Sequence, residues 1–291
     1  MRCKWIDCIY SWQRIRSFWW RIGIVCNGVL LLLLCGTKEA WALRLISLSP
    51  ALTETVAALG ACSALVATVA GGVVGENSLN FCKGVPQLPL SGGHWSAESL
   101  LALRPQAVLV WPEGLSGDQL MLMRSAKLPL VLFSVHQMQD VQQQLLRLGA
   151  LTGKNAQARL LLQRQQVQIS TLTQKYQGSA WIRGFYQVWS QPLMTLTTGH
   201  YVAEALRLCH IALVAPVAAV QAPQVAVEWV LMQHPDRIIL PEGMTALEAW
   251  SRWGLPVRQV DVAALERPGP FMLDHLEQVC AEVRRQEVRR H

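Results

Sequence analysis

Two stretches of the chain carry nearly the same pattern, and this repetition constrains the fold more than any other feature. Residues 97–114 read AESLLALRPQAVLVWPEG and residues 226–243 read AVEWVLMQHPDRIILPEG. Each opens with a glutamate (Glu98, Glu228) in a short run of helical apolar spacing, which stops at a proline seven residues on (Pro105, Pro235). A continuous apolar run follows, Val108-Leu109-Val110-Trp111 in one copy and Ile238-Ile239-Leu240 in the other, and then Pro-Glu-Gly. Proline breaks a helix, and a short apolar run bounded by turn residues reads as a buried strand. The repeat predicts two similar α/β lobes, each with one glutamate at the same place. Such a pair suits a symmetric partner better than a catalytic centre.

The 291 residues suffice for two domains of ordinary size. Residues 1–42 stand apart. They begin with Arg2, Lys4, Arg14, Arg16 and Arg21, continue as an apolar run from Ile22 to Cys35, and end in Ala40-Trp41-Ala42. This is the layout of a secretory signal peptide, with cleavage predicted after Ala42. The long basic start leaves an uncleaved anchor as the alternative, although the apolar run is shorter than the ~20 residues a span needs. Removing this segment takes six of the 26 basic and two of the 19 acidic residues, which lowers the net charge from +7 to +3. The remaining chain has no Lys/Arg stripe for nucleic acid. Its terminal Arg284-Arg285 and Arg289-Arg290 read as a solvated helix end.

Four cysteines remain after the leader: Cys62, Cys82, Cys209 and Cys280. An even count in an exported chain predicts two disulfides, with three connectivities open. Pairing within lobes, Cys62–Cys82 and Cys209–Cys280, is the simplest. No Cys-x-x-Cys pair supports a zinc site.

Strands alternate with helices along residues 43–153, as expected of a parallel sheet with right-handed crossovers. The run Leu45–Leu48 is a strand, and Ser49-Pro50 opens a helix with Ser49 as N-cap. A second strand at 65–69 leads into the glycine-rich loop Gly71–Gly75, the first repeat copy supplies the next, and Leu128–Phe133 forms another after the helix at 117–126. From Asn155, read as a cap, an amphipathic helix runs to Tyr176, a rigid rod of about 30 Å. Residues 154–177 therefore connect an N-terminal lobe (43–153) to a C-terminal lobe (178–291). The second lobe opens with a strand at 182–189 and closes with a helix starting at Pro270.

Several segments resemble one family along essentially the whole of residues 43–291. They are Leu45–Glu54 (LISLSPALTE), Glu98 to Trp111 around Leu103-Arg104-Pro105, Pro223-Gln224-Val225 before Glu228, and Glu266-Arg267-Pro268-Gly269-Pro270. The chain resembles periplasmic substrate-binding proteins of cobalamin, haem and iron-siderophore ABC importers, most of all the cobalamin-binding members. The resemblance implies an α/β fold of two Rossmann-like lobes joined by a single long helix, with ligand held in the cleft between them. It places Glu98 and Glu228 where the family has one exposed glutamate per lobe facing arginines of the permease dimer. It also matches Cys209 and Cys280 to a disulfide position and Trp111 to a pocket tryptophan. Gly92 and Ala222 stand where further tryptophans belong, so the ligand site carries over only in part. Trp95, Trp189, Tyr201, His94 and His200 are the local candidates to replace them.

Other classes find less support. Seven histidines include no His-x-x-x-His or His-Glu-x-x-His, and no Gly-x-Ser-x-Gly elbow or phosphate loop is present. A chelatase-like enzyme acting through His94 or His200 remains the rival by class, and a zinc or manganese receptor the rival by ligand. The expectation is a monomeric, non-catalytic periplasmic receptor without a cofactor. It binds a metal chelate, corrinoid first and haem or ferric siderophore second, and delivers it to an ABC importer.

Overall fold

The computed structural model describes residues 43–69, 81–88, 96–245 and 247–285. The predicted leader, the Gly71–Gly75 loop, Gly92, His94, Trp95 and the last arginines lie outside them. No described helix is long and apolar enough to cross a membrane.

The first lobe is built on strands β1 (Leu45–Ser47), β2 (Leu65–Val69), β3 (Gln87–Leu88), β4 (Ala107–Val110) and β5 (Leu130–Leu132). They lie in the order β3-β2-β1-β4-β5, every neighbouring pair parallel. Alternation along β4 covers both faces of the sheet. Ala107 and Leu109 join a core with Leu52 and Val56 of helix α1 (Pro50–Ala58). Val108 and Val110 face the opposite way, onto Leu100 of α2 (Ala97–Ala102) and Met123 of α3 (Gly117–Ser125).

Helices α4 (Met138–Leu151) and α5 (Asn155–Tyr176) then lead to the second lobe. They cross closely at Gly149, where an added Cβ would stand 2.5 Å from the Cβ of Ala158. Neither residue has a flexible end that can yield. Gly149→Ala is expected to destabilise the protein by about 1–3 kcal/mol, the usual scale of overpacking, as read from urea midpoints.

The second lobe centres on β6 (Ile182–Ser190), with β7 (Leu193–Thr195), β8 (Ile211–Leu213), β9 (Arg237–Pro241) and β10 (Val257–Val260). The order is β10-β9-β6-β7, and β8 pairs with the first half of β6. Unlike every pair in the first lobe, β7 runs antiparallel to its neighbour β6. The two strands are joined by a short hairpin, which needs no crossover. Helices α6 (Tyr201–Arg207) and α9 (Leu276–Arg284) cover one face, and α7 (Val227–Met232) and α8 (Leu247–Ser251) the other.

Disulfides join Cys62 to Cys82 and Cys209 to Cys280, one in each lobe. The second ties the chain just after α6 to α9, in the lobe core.

The repeated segments are geometrically equivalent up to their strands. Glu98 and Glu228 are each the second residue of a six-residue helix. Leu100 and Val230 are each fully buried beneath it. The prolines do not themselves end these helices. Arg104 and His234 do so, at φ of 47° and 49°, the left-handed C-terminal conformation in which a helix closes. Beyond the strands the copies slip by one residue. Pro241 is still paired in β9, whereas its counterpart Trp111 lies past β4 and begins a 3-10 turn at Pro112–Gly114.

The lobes are tied by more than α4 and α5. The segment Glu266–Pro270 crosses back onto the first lobe and the connecting helix. There Gln144 Nε2 donates to Pro268 O at 2.8 Å, and Gln165 Nε2 to Gly269 O at 2.9 Å. Arg267 Nε lies 3.6 Å from Glu54 Oε2. Elsewhere Met138 N–H donates to Glu204 Oε2 at 2.7 Å, and Tyr201 N–H to His136 O at 2.8 Å. The strap explains one of two sequence expectations that fail. The last helix begins at Leu276 rather than Pro270, because the intervening residues form the strap and its turns. Lys154, not Asn155, precedes the first turn of α5.

Candidate functional site

Ligands of open α/β sheets gather beyond the C-terminal ends of the strands. An open cavity of about 1060 Å³ occupies that position in the second lobe. Its lining comes from the ends of β6 and β9, the start of α7 and the α8 region: Trp189, Glu228, Glu242, Trp250, Arg252 and Trp253 are the chemically informative members. Trp189 and Trp253 keep 60% and 55% of their surfaces exposed, so two flat apolar rings face open space. The wall behind them is fixed. Trp250 is buried, and its Nε1 donates at 2.6 Å to Gln187 Oε1. Gln187 Nε2 in turn donates to Ser190 Oγ at 3.0 Å. Exposed indole rings, one arginine and two carboxylates thus line the cavity.

Every lining residue of this cavity lies between Gln187 and Trp253. Of the predicted ligand contacts Trp189 belongs to it, and Glu228, expected to face a permease, lines it too. Trp111 stands at the C-terminal end of β4 in the other lobe. Its Nε1 is buried and meets no acceptor among the described residues. His94 and Trp95 lie outside the described residues. Tyr201 is not brought to an open surface: it is buried in the lobe core, and its hydroxyl donates to Glu266 O at 2.8 Å. Trp253, Arg252 and Glu242 were not singled out from sequence. Only the position of Glu242 after an apolar strand run signals it, because convergence on the cavity depends on strand order.

His200 acts as the N-cap of α6, its Nδ1 accepting from Val202 N–H at 3.2 Å. Burial first, and the nearby His136 second, lower its pKa from 6.5 to about 4. A depressed histidine pKa means that the unfolded chain binds the extra proton more readily. The contribution of neutral His200 is therefore complete above about pH 6.5 and is lost as pH falls toward 4. His200→Asn keeps a capping side chain without the titration. It is expected to flatten the fall in urea midpoint between pH 7 and pH 5.

The exposed Glu98 carboxylate is held below its usual pKa by hydrogen bonds from its own backbone N–H and from Ser96. The positive helix N-terminus favours the charged form as well. Among the described residues no cluster of three or more His, Cys, Asp or Glu is arranged to hold a metal ion.

The profile of a family described as periplasmic binding proteins matches residues 45–250. A vitamin B12-binding protein of Pectobacterium carotovorum subsp. carotovorum is 28% identical over 259 residues, covering 87% of this chain and 92% of the relative. The crystal structure of the periplasmic vitamin B12 binding protein BtuF of Vibrio cholerae superposes with a TM-score of 0.67 at 25% identity, covering 82% of this chain and 96% of that one. The periplasmic heme binding protein HutB of Vibrio cholerae shares the fold, with a TM-score of 0.66 at 18% identity over 84% and 100% of the two chains. With two α/β lobes, a connecting helix and a cavity at the strand ends, this chain belongs to the periplasmic binding protein family.

Proposed function

We propose that the protein is the solute-binding component of an ABC importer, and that its ligand is a corrinoid. The observation that carries the reading is the similarity to vitamin B12-binding proteins along most of both chains. The exposed rings of Trp189 and Trp253 supply the flat apolar contact that a corrin face requires. Arg252 and Glu242 provide polar partners for its amide arms. Glu98 and Glu228, equivalent in the two lobes, would engage arginines of a twofold permease through charge-assisted hydrogen bonds. The role is binding and delivery, with no catalytic residue and no resident cofactor.

Haem is the second reading, and one observation favours it. His136 is half-exposed beyond β5, with its Nε2 4.0 Å from Glu113 Oε1, and offers an imidazole to an iron centre. A tryptophan-quenching titration with cyanocobalamin, haemin and a ferric siderophore separates these ligands. Stoichiometric quenching strongest with cyanocobalamin is expected. Saturable binding of haemin alone would reject the corrinoid reading.

A further inference from the structure

The two helices that carry the glutamates match in more than their carboxylates. In α2 the first and fourth residues, Ala97 and Leu100, are buried, and in α7 the buried Val230 takes the fourth place. The outward face of each helix is therefore formed by its second, fifth and sixth residues. These are Glu98, Leu101 and Ala102 in one lobe, and Glu228, Leu231 and Met232 in the other. Leu101 keeps 42% of its surface exposed and Met232 66%. Residues three and four apart are neighbours on a helix surface, and side chains lean toward the helix N-terminus. Leu101 and Met232 thus lean over the turn that bears the glutamate.

A single exposed leucine or methionine is ordinary on a protein surface. Here, apolar residues fill the same two places in both lobes, each pair one turn from an exposed carboxylate. Charge sorts the surfaces that could cover them. Twofold pairing with a second copy of the chain sets carboxylate against carboxylate, and an anionic lipid surface repels both glutamates. A twofold protein partner that presents a cation beside an apolar contact complements each lobe. The apolar residues also decide how much such a charge pair contributes. A carboxylate–arginine pair left in water strengthens binding by at most about fivefold, whereas a desolvated one contributes about thirtyfold or more. Residues that exclude water from the pair make the difference, as rim residues do around an interface hot spot.

We propose that Leu101 and Met232, with Ala102 and Leu231 beside them, form an apolar collar that seals the two glutamates from water when the protein docks on the ABC permease. The collar rests on the docking role proposed for Glu98 and Glu228. Leu101 and Met232 are positioning residues for docking: they pair with no charge themselves and strengthen the charge pair beside them.

The test measures capture of the protein by the permease in nanodiscs, with empty nanodiscs of the same lipid as the control. Leu101→Ser and Met232→Ser are each expected to weaken docking about tenfold, the scale of one apolar side chain left unburied. The double variant should lose about the product of the two, because the residues stand on separate lobes. Leu101→Met and Met232→Leu keep the apolar contact and should dock as the wild type does. Raising the ionic strength from about 0.1 to 1 M shortens the screening length from about 10 to 3 Å and acts mainly on exposed pairs. The double serine variant should therefore lose more affinity with salt than the wild type. Its affinity for cyanocobalamin and its melting temperature should stay at wild-type values, since both side chains are exposed and neither lines the cavity. Serine variants that dock normally, or empty nanodiscs that capture the protein equally well, overturn the collar and leave the receptor reading intact. If Glu98→Arg with Glu228→Arg also docks normally, the docking role of the glutamates falls with it.

Discussion

Reversing both carboxylates, Glu98→Arg with Glu228→Arg, is expected to abolish ligand uptake while affinity for the ligand stays unchanged. Each glutamate sits at the second position of a short helix whose buried face is pinned by Leu100 or Val230. The carboxylates are thereby presented on rigid supports, and each is exposed. Loss of one partner from a desolvated, hydrogen-bonded charge pair at an interface costs about 2–5 kcal/mol, and a like charge adds repulsion. Two such losses lower docking affinity by roughly three orders of magnitude or more. Uptake of labelled ligand by proteoliposomes carrying the permease, beside a fluorescence titration of the free protein, gives both readouts. The structure sharpens this test, because Glu228 also lines the cavity. If Glu228→Arg alone weakens ligand binding, Glu228 contacts the ligand and the symmetric docking assignment fails.

Removing the second disulfide by Cys209→Ala with Cys280→Ala carries the largest expected effect on stability. The bridge closes a loop of 71 residues and ties the end of α6 to α9, with both cysteines wholly buried. Loop-closure entropy places its contribution at about 4 kcal/mol. For a chain of this size that lowers the melting temperature on the order of ten degrees. The Cys62–Cys82 bridge spans 20 residues and is worth about 3 kcal/mol by the same reasoning. Calorimetry of the two double variants checks the order. A larger loss from the shorter loop would show that strain or residual unfolded structure outweighs loop entropy.

The repeated segments were legible because every signal in them is local. Apolar spacing, a proline and a continuous apolar run each report on neighbours within a few residues. Their slip is also in the sequence, because Pro112 stands one position further from Glu98 than Pro241 does from Glu228, but its structural result was not legible. Pro-Glu-Gly ends both copies, but whether its proline is still in the strand depends on pairing with Val260 in the second lobe. From sequence the disulfide pairing within lobes was favoured as the simplest of three connectivities and, for Cys209 and Cys280, by the family resemblance. Contact between Cys209 and Cys280 follows from α6 and α9 packing on the same sheet face.

The site was less legible than the fold. Trp189 was among the sequence candidates and lines the cavity, but Trp253 and Arg252 join it only because the α8 region lies beyond the ends of β6 and β9. Tyr201 looked equally available, yet its hydroxyl is consumed by the strap at Glu266. Ser49 resembled an ordinary N-cap, and its side chain makes no such bond.

From the sequence alone came two α/β lobes, a long helix between them and one glutamate at an equivalent place in each. These follow from periodicity and turn chemistry, which act over short stretches of chain. The tertiary structure decided how Glu266–Pro270 straps the lobes together, which tryptophans face open space, and which buried donors are left unpaired. Those properties depend on what residues far apart in the chain bring to the same place, and no local pattern encodes that.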